Sequence, residues 1–110
     1  LGEHFVHCED VRRAQPGWEP RVLDEGLQEA LWSLLTRMYR MSLRRAKMPV
    51  RLVRTDGAEI SWGPAGRPVR LHGETSELVL YAYNRTSAAQ VQIDGPPEAV
   101  ARFKQTRMGL

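Results

Sequence analysis

The sequence contains little cysteine and little lysine, and it has no long apolar run. With one cysteine, Cys8, among 110 residues, the chain can form no internal disulfide bond. So few thiols are typical of a reducing compartment, and we therefore expect a cytoplasmic protein. No apolar run approaches the roughly 20 residues that a membrane-spanning helix requires, so we expect no membrane partner.

Positive charge is in slight excess but is not concentrated in any segment. The chain has 16 basic and 13 acidic residues, and only two of the basic residues, Lys47 and Lys104, are lysines. Nucleic-acid-binding proteins gather their basic residues on one face or stripe. Arginines spread along the whole chain indicate solvated surfaces instead, and we expect no nucleic-acid partner. With 42% hydrophobic and 26% charged residues, the composition is that of one small globular domain.

The first 15 residues are predicted to be the end of a helix. Apolar side chains recur there at steps of three and four residues and therefore share one helix face: Leu1, Phe5, Cys8 and Val11. The stretch QPGWEP (15–20) then ends the helix, because two prolines and a glycine cannot continue it. Since the pattern is helical from its first residue, we expect 1–15 to be the remnant of a helix from an upstream domain and 16–22 to be a linker. The apolar face of such a helix would favour a homodimer.

Residues 23–110 are predicted to form an α+β domain with the order α-β-β-β-α-β-α. Its first helix begins with Asp24 as N-cap and runs to about Ala46. From Met48 the apolar period falls to two, which is typical of strands, and Asp56-Gly57 marks a hairpin between the first two strands. We expect three strands in a meander with one apolar face, within a mostly antiparallel four-stranded sheet that carries helices on one face.

The segment TSELVLYAYNRT (75–86) could by its periodicity be a buried strand or a buried helix. Thr75 as a cap, Glu77 in the first turn and a single β-branched residue in the apolar run favour a helix. A fourth strand follows at VQI, and the last helix begins at Pro96-Pro97, where proline is tolerated.

Glu3 and His7 are the strongest candidates for a metal site. They are four residues apart, so on a helix their side chains project from the same face about one turn apart. A carboxylate oxygen and an imidazole nitrogen at this spacing can converge on one divalent ion. A catalytic metal site usually has three protein ligands, so the pair predicts only part of a coordination shell, and a solvated surface pair is the alternative.

The other polar residues of the opening stretch LGEHFVHCED are predicted to have simpler roles. His4 is expected to be solvated, and Cys8 to be a buried thiol without a histidine on its own face. Glu9 and Asp10 are expected to form surface ion pairs with the neighbouring Arg12 and Arg13, and such pairs contribute little stability. Asp10 could instead orient a ligating histidine.

Three stretches together resemble a known family: EHFVHCEDVRRAQPGWEPR, ELVLYAYNRTSAAQVQIDGPPEAVARF and the terminal TRMGL. They are similar to the C-terminal half of the actinobacterial mycothiol-dependent maleylpyruvate isomerase family, in particular its branch of uncharacterised metal-binding proteins. The resemblance covers essentially the whole chain. It implies a DinB-like four-helix bundle, whose last helix ends within 1–15, joined to a smaller C-terminal α/β domain.

The resemblance also implies roles for individual residues. Glu3 and His7 match the family's pair of metal ligands on the last bundle helix, whereas the family's third ligand, a histidine on an earlier helix, has no counterpart in this sequence. Arg85 matches an arginine that holds an anionic substrate or the thiol cofactor. Asn84 stands where the family usually has glycine, and Cys8 where this branch often has a second histidine. For Arg85 the alternative is a helix C-terminal arginine that binds carbonyl groups.

The implied function is that of a mycothiol-dependent isomerase or S-transferase, of which this chain would be the C-terminal part, inactive without the bundle. The implied cofactors are a divalent metal, zinc foremost, and mycothiol, and the implied substrate is anionic or electrophilic. The alternative is a non-catalytic binding module resembling sterol-carrier folds, in which an apolar cavity holds a lipid or other small molecule. Its expected lining is aromatic: Trp32, Trp62, Tyr81 and Tyr83.

Overall fold

The structure, a computed structural model, describes residues 2–19, 23–42, 48–83 and 85–105. Its helices are α1 (Gly2–Arg13), α2 (Glu25–Ser42), α3 (Thr75–Ala82) and α4 (Pro97–Gln105). Its strands are β1 (Val50–Arg54), β2 (Glu59–Trp62), β3 (Val69–Gly73) and β4 (Gln92–Asp94). After α1 the order is α-β-β-β-α-β-α, as predicted, and the α+β class is confirmed. The expected continuation of α2 to Ala46 and the terminal TRMGL lie outside the described residues.

The four strands form one mixed sheet with the order β2-β1-β3-β4. β1 pairs antiparallel with β2, and β3 antiparallel with β4, whereas β1 and β3 are parallel. The hairpin predicted at Asp56-Gly57 is confirmed: Gly57 has a φ of 98°, and the Arg54 N–H donates to the Ala58 carbonyl at 2.8 Å. The predicted meander is wrong, because β3 pairs with β1 and not with β2.

The connection at residues 63–68 explains why β3 lies beside β1. The chain leaves β2 at the end of the sheet where β1 begins, and it passes β1 closely, since a Cβ on Gly63 would lie 2.5 Å from the Met48 carbonyl oxygen. The Val69 N–H then donates to the Pro49 carbonyl at 3.0 Å, which starts β3 on the far side of β1. A period of two identifies the buried face of a strand but not its neighbour, so the pattern could not show this crossing.

One face of the sheet is covered by helices and forms the core. β1 and β3 contribute Val50, Leu52, Val69 and Leu71, all of them buried. α3 is buried along its whole length, which is why its sequence lacks an amphipathic period and could equally suggest a strand. α4 is held by Phe103, which is fully buried and stacks on Tyr81 with ring centroids 6.1 Å apart. Across the described segments, no helix has both the length and the apolar character needed to cross a bilayer.

The two predicted helix caps have different outcomes. Asp24 caps α2 as expected, since its carboxylate accepts a hydrogen bond from the Leu27 N–H at 2.8 Å. The N-cap of α3 is Glu74, which makes no side-chain cap hydrogen bond, so the assignment to Thr75 is wrong. Thr75 lies one residue further in, and its buried hydroxyl has no hydrogen-bond partner within the described ranges.

α1 is a helix as predicted, but it packs with a different face. Its buried side chains are Phe5, Val6, Glu9 and Arg13. Val11, which the apolar pattern places inside, is 67% exposed, and Cys8 is only half-buried. The pattern misleads because two of the four buried positions carry charged residues, which periodicity counts as solvent-facing.

A buried ion-pair network joins α1 to α3. Arg13 donates two parallel hydrogen bonds to Glu77, from Nη1 at 2.6 Å and from Nη2 at 2.8 Å. It also donates to Glu9 Oε1 from Nε and from Nη2, each at 3.2 Å. Glu9 is 0%, Glu77 2% and Arg13 8% exposed. The expectation of surface pairs for Glu9 and Arg13 is therefore wrong, because packing of α1 against α3 removes these charges from water.

Replacing Glu77 by glutamine should make the free energy of unfolding fall less steeply as the pH is lowered. Burial by itself would raise the pKa of Glu77, but hydrogen bonds from Arg13, from the Gln90 N–H and from Ser76 lower it below its ordinary value. Such a carboxylate contributes stability above its unfolded-state pKa of about 4.3, and that contribution is lost as the pH falls through the folded-state pKa. We expect the gap in unfolding free energy between wild type and Glu77→Gln to shrink below about pH 4 in urea denaturation.

Glu98→Gln, which removes an exposed carboxylate from the first turn of α4, is the control for the change in net charge. A gap between wild type and Glu77→Gln that stays constant from neutral to acid pH would contradict this prediction.

Candidate functional site

The three residues predicted to form a site line one cavity. Glu3 and His7 on α1 face Tyr83 and Arg85, which follow α3, across a cavity of about 410 Å³ whose wall includes Val6. Glu3 and His7 are exposed to solvent, one helical turn apart. Residues separated by 76 to 82 positions in the sequence are thus brought together by the packing of α1 against α3.

Both sides of the cavity are held in place by packing on the core. On the α1 side, burial of Phe5 and Val6 and the network of Arg13 turn Glu3 and His7 outwards. On the other side, the Arg85 N–H donates to the Leu80 carbonyl at 2.9 Å, which ties the Arg85 backbone to the last turn of α3. The cavity therefore lies between two anchored elements.

The Arg85 guanidinium makes three hydrogen bonds. Nε and Nη2 donate to the two carboxylate oxygens of Asp10 at 3.2 and 3.0 Å, and Nη1 donates to the Tyr83 carbonyl at 2.7 Å. Tyr83 is the C-cap of α3, so this contact is the alternative role for Arg85, that of an arginine that binds carbonyl groups at a helix C-terminus. Arg85 also lines the cavity. An arginine has five N–H donors, so two remain for a ligand.

The sequence predicts ion pairs between Asp10 and the neighbouring Arg12 and Arg13, but in the structure Asp10 pairs with Arg85. The hydrogen bond and the positive charge of Arg85 lower the pKa of Asp10, and the nearby His7 acts in the same direction. Asp10 is therefore a carboxylate at neutral pH, and its negative charge lies against Arg85, which lines the cavity.

Glu3 and His7 can supply part of a metal site. A carboxylate oxygen and an imidazole nitrogen are ligands that zinc accepts, and both side chains border the same cavity. Among the described residues, however, no group of three or more histidine, cysteine, aspartate or glutamate side chains is placed to hold a metal ion. Glu3 and His7 could offer two donors to a divalent ion, and further ligands would have to come from other groups.

Cys8 has a histidine neighbour, His4, on its own face of α1. Its Sγ lies 3.7 Å from His4 Nε2, one helical turn away. The expectation that no histidine shares the face of Cys8 is wrong, because residues four apart on a helix are neighbours. A second pair of potential metal donors thus lies beside Glu3 and His7.

Tyr83 is a cavity residue that the sequence does not single out as part of a metal or anion site. In the sequence Tyr83 is the last residue of an apolar run. The packing of α1 against α3 brings it to the same cavity as Glu3. Burial raises the pKa of Tyr83, and the negative charge of Glu3 adds to this effect. Its phenol therefore stays protonated at neutral pH and can donate a hydrogen bond.

A larger cavity of about 570 Å³ lies at the carboxyl ends of the parallel strands β1 and β3 and is lined in part by His72, Glu74 and Glu77. The buried carboxylate in it, Glu77, already accepts hydrogen bonds from Arg13, from Ser76 and from the Gln90 N–H. These bonds, with two donors to each carboxylate oxygen, leave Glu77 little room to bind a ligand, so we take the smaller cavity as the candidate site.

The aromatic side chains expected to line a lipid cavity mostly serve packing. Tyr81 stacks on Phe103, and Trp32 lies under the Arg54 guanidinium, 4.8 Å from its ring centroid. The Trp62 side chain and Asn84 lie outside the described residues. Comparison of the chain with protein-family models, with curated proteins and with solved structures finds no match.

Proposed function

We propose that this chain supplies part of the active site of an enzyme that depends on a divalent metal and a low-molecular-weight thiol, of the mycothiol-dependent isomerase or S-transferase type. The observation that carries the proposal is the cavity that brings Glu3, His7 and Arg85 together. The resemblance of the sequence to that family names the same three residues. We place the enzyme in the cytoplasm, where thiols stay reduced.

The cavity has a cation side and an anion side. Glu3 and His7 would hold the divalent ion, zinc foremost, and an ion bound there would lower the pKa of a coordinated thiol. The guanidinium of Arg85 would bind a carboxylate of the substrate or a developing enolate. The protonated Tyr83 would donate a further hydrogen bond from the wall between these two sides.

The 110 residues alone are proposed to bind the metal weakly and to lack activity. Two protein ligands hold a metal ion loosely, and a catalytic zinc site has three. In this proposal a third ligand would come from outside these 110 residues, and the thiol cofactor would also bind the ion.

Glu3→Ala and His7→Ala should each weaken zinc binding by at least tenfold. Even the loss of a group that only orients a ligand costs 10–100-fold in metal affinity, so the loss of a ligand should cost no less. Zinc titration of the 110-residue chain by calorimetry, with stoichiometry from elemental analysis, measures the effect.

His4→Ala is the matched control, since it removes a second imidazole from the same helix without touching the cavity. Undiminished zinc affinity in Glu3→Ala and His7→Ala refutes the proposed metal site. Loss of zinc binding in His4→Ala, and not in His7→Ala, would move the site to the pair formed by His4 and Cys8.

A further inference from the structure

The Arg85 guanidinium already binds the carboxylate of Asp10, with which any anionic ligand would have to compete. Asp10 occupies the Nε and Nη2 side of the guanidinium, at 3.2 and 3.0 Å. This is the two-point geometry with which arginine recognises a carboxylate ligand. Both side chains are more than one-third exposed, so a small molecule can approach the pair from solvent.

Arg85 has anchors that do not depend on Asp10. Its Nη1 donates to the Tyr83 carbonyl, and its backbone N–H donates to the Leu80 carbonyl. The guanidinium would therefore stay at the cavity if Asp10 moved away. Exposed ion pairs contribute little stability, so exchange of one carboxylate for another costs little.

We infer that Asp10 is an internal competitor for the anion site, which occupies Arg85 until the carboxylate of a small-molecule substrate displaces it. The inference rests on the proposed function, and it adds a residue that determines specificity. A ligand with a planar carboxylate can replace both hydrogen bonds that Asp10 makes, whereas a neutral ligand cannot.

Displacement also couples the two sides of the cavity. Asp10 lies three residues after His7, so the two side chains are neighbours on the surface of α1. Once an anion holds Arg85, the charge of Asp10 is no longer neutralised, and it favours a cation at Glu3 and His7. By linkage, a cation bound at Glu3 and His7 favours the anion to the same extent.

Succinate titration of the metal-free chain, followed by NMR or calorimetry, tests the inference. Asp10→Asn should bind succinate about two- to fivefold more tightly than wild type, the range set by the strength of an exposed ion pair. Glu3→Gln is the matched control, because it removes one negative charge from the cavity that Arg85 lines, whereas the carboxylate that acts on Arg85 is that of Asp10, and it should give a smaller gain. Arg85→Gln should abolish binding.

The outcomes separate the inference from the proposed function. Weaker binding in Asp10→Asn would show that Asp10 positions Arg85, and equal gains in Asp10→Asn and Glu3→Gln would show an effect of charge alone; either result overturns the inference. Undiminished binding in Arg85→Gln, or no binding in wild type and Asp10→Asn alike, overturns the anion site of the proposed function as well. Unchanged circular dichroism confirms that each variant is folded.

Discussion

Arg13→Met is expected to lower the free energy of unfolding by about 3–5 kcal/mol. The substitution keeps an aliphatic side chain of similar length but leaves Glu77 as a buried carboxylate without the Arg13 cation, and it deprives Glu9 of one arginine partner. It also removes the hydrogen bond to the Ala88 carbonyl and the stacking of the guanidinium on Trp18. Breaking a buried pair is costly because the remaining charge stays out of water.

Arg12→Met provides the comparison, since Arg12 binds the same Glu9 but is 36% exposed on its side chain. Its loss should cost less than about 1 kcal/mol. The double variant Arg13→Met/Glu77→Met should recover part of the lost stability, because it removes the orphaned carboxylate together with its partner. Urea denaturation of the four proteins measures these differences. Equal losses in Arg12→Met and Arg13→Met would mean that the network is not the anchor of α1.

Gly63→Ala is expected to destabilise the protein by about 2–4 kcal/mol, the sum of backbone strain and a steric clash. Gly63 has a φ of 95°, which L side chains rarely adopt. In addition, the new Cβ would lie 2.5 Å from the Met48 carbonyl oxygen and 3.1 Å from the Pro49 Cα, both of which are backbone atoms. They can move only if the start of β1 moves with them.

Gly57→Ala separates the two causes of this loss. Gly57 has almost the same φ, 98°, but a Cβ there would meet no atom within 4 Å. It should therefore show the backbone strain alone, about 1–2 kcal/mol. The difference between the two variants, measured by thermal or urea denaturation, reports the close crossing that sends β3 to the far side of β1. If Gly57→Ala and Gly63→Ala were equally destabilised, the crossing would be looser than the structure shows.

Local patterns predict the elements of this fold well but not all of their contacts. Asp24 before an apolar period of 3.6 residues and Asp56-Gly57 between alternating runs each specify a local hydrogen-bonding pattern, and both are confirmed. The meander and the packed face of α1 were predicted wrongly, because each depends on which distant segment an element meets. Glu9 and Arg13 are charged residues on the buried face of α1 and therefore contradict the apolar period. Their burial is explained by the ion pair that Arg13 forms with Glu77 on α3.

The candidate site shows the same division. Spacing along a helix places Glu3 and His7 on one face, since 3.6 residues make a turn. No local rule brings Tyr83 and Arg85 to them, and none pairs Arg85 with Asp10, because these contacts form between residues about 75 positions apart. Helix periods, caps and turns are set by neighbours in the chain, so the sequence by itself determined the α+β class and the order of its elements. Strand order, the buried charges and the meeting of Glu3 and His7 with Arg85 were decided only by tertiary packing, where burial selects partners that no local period specifies.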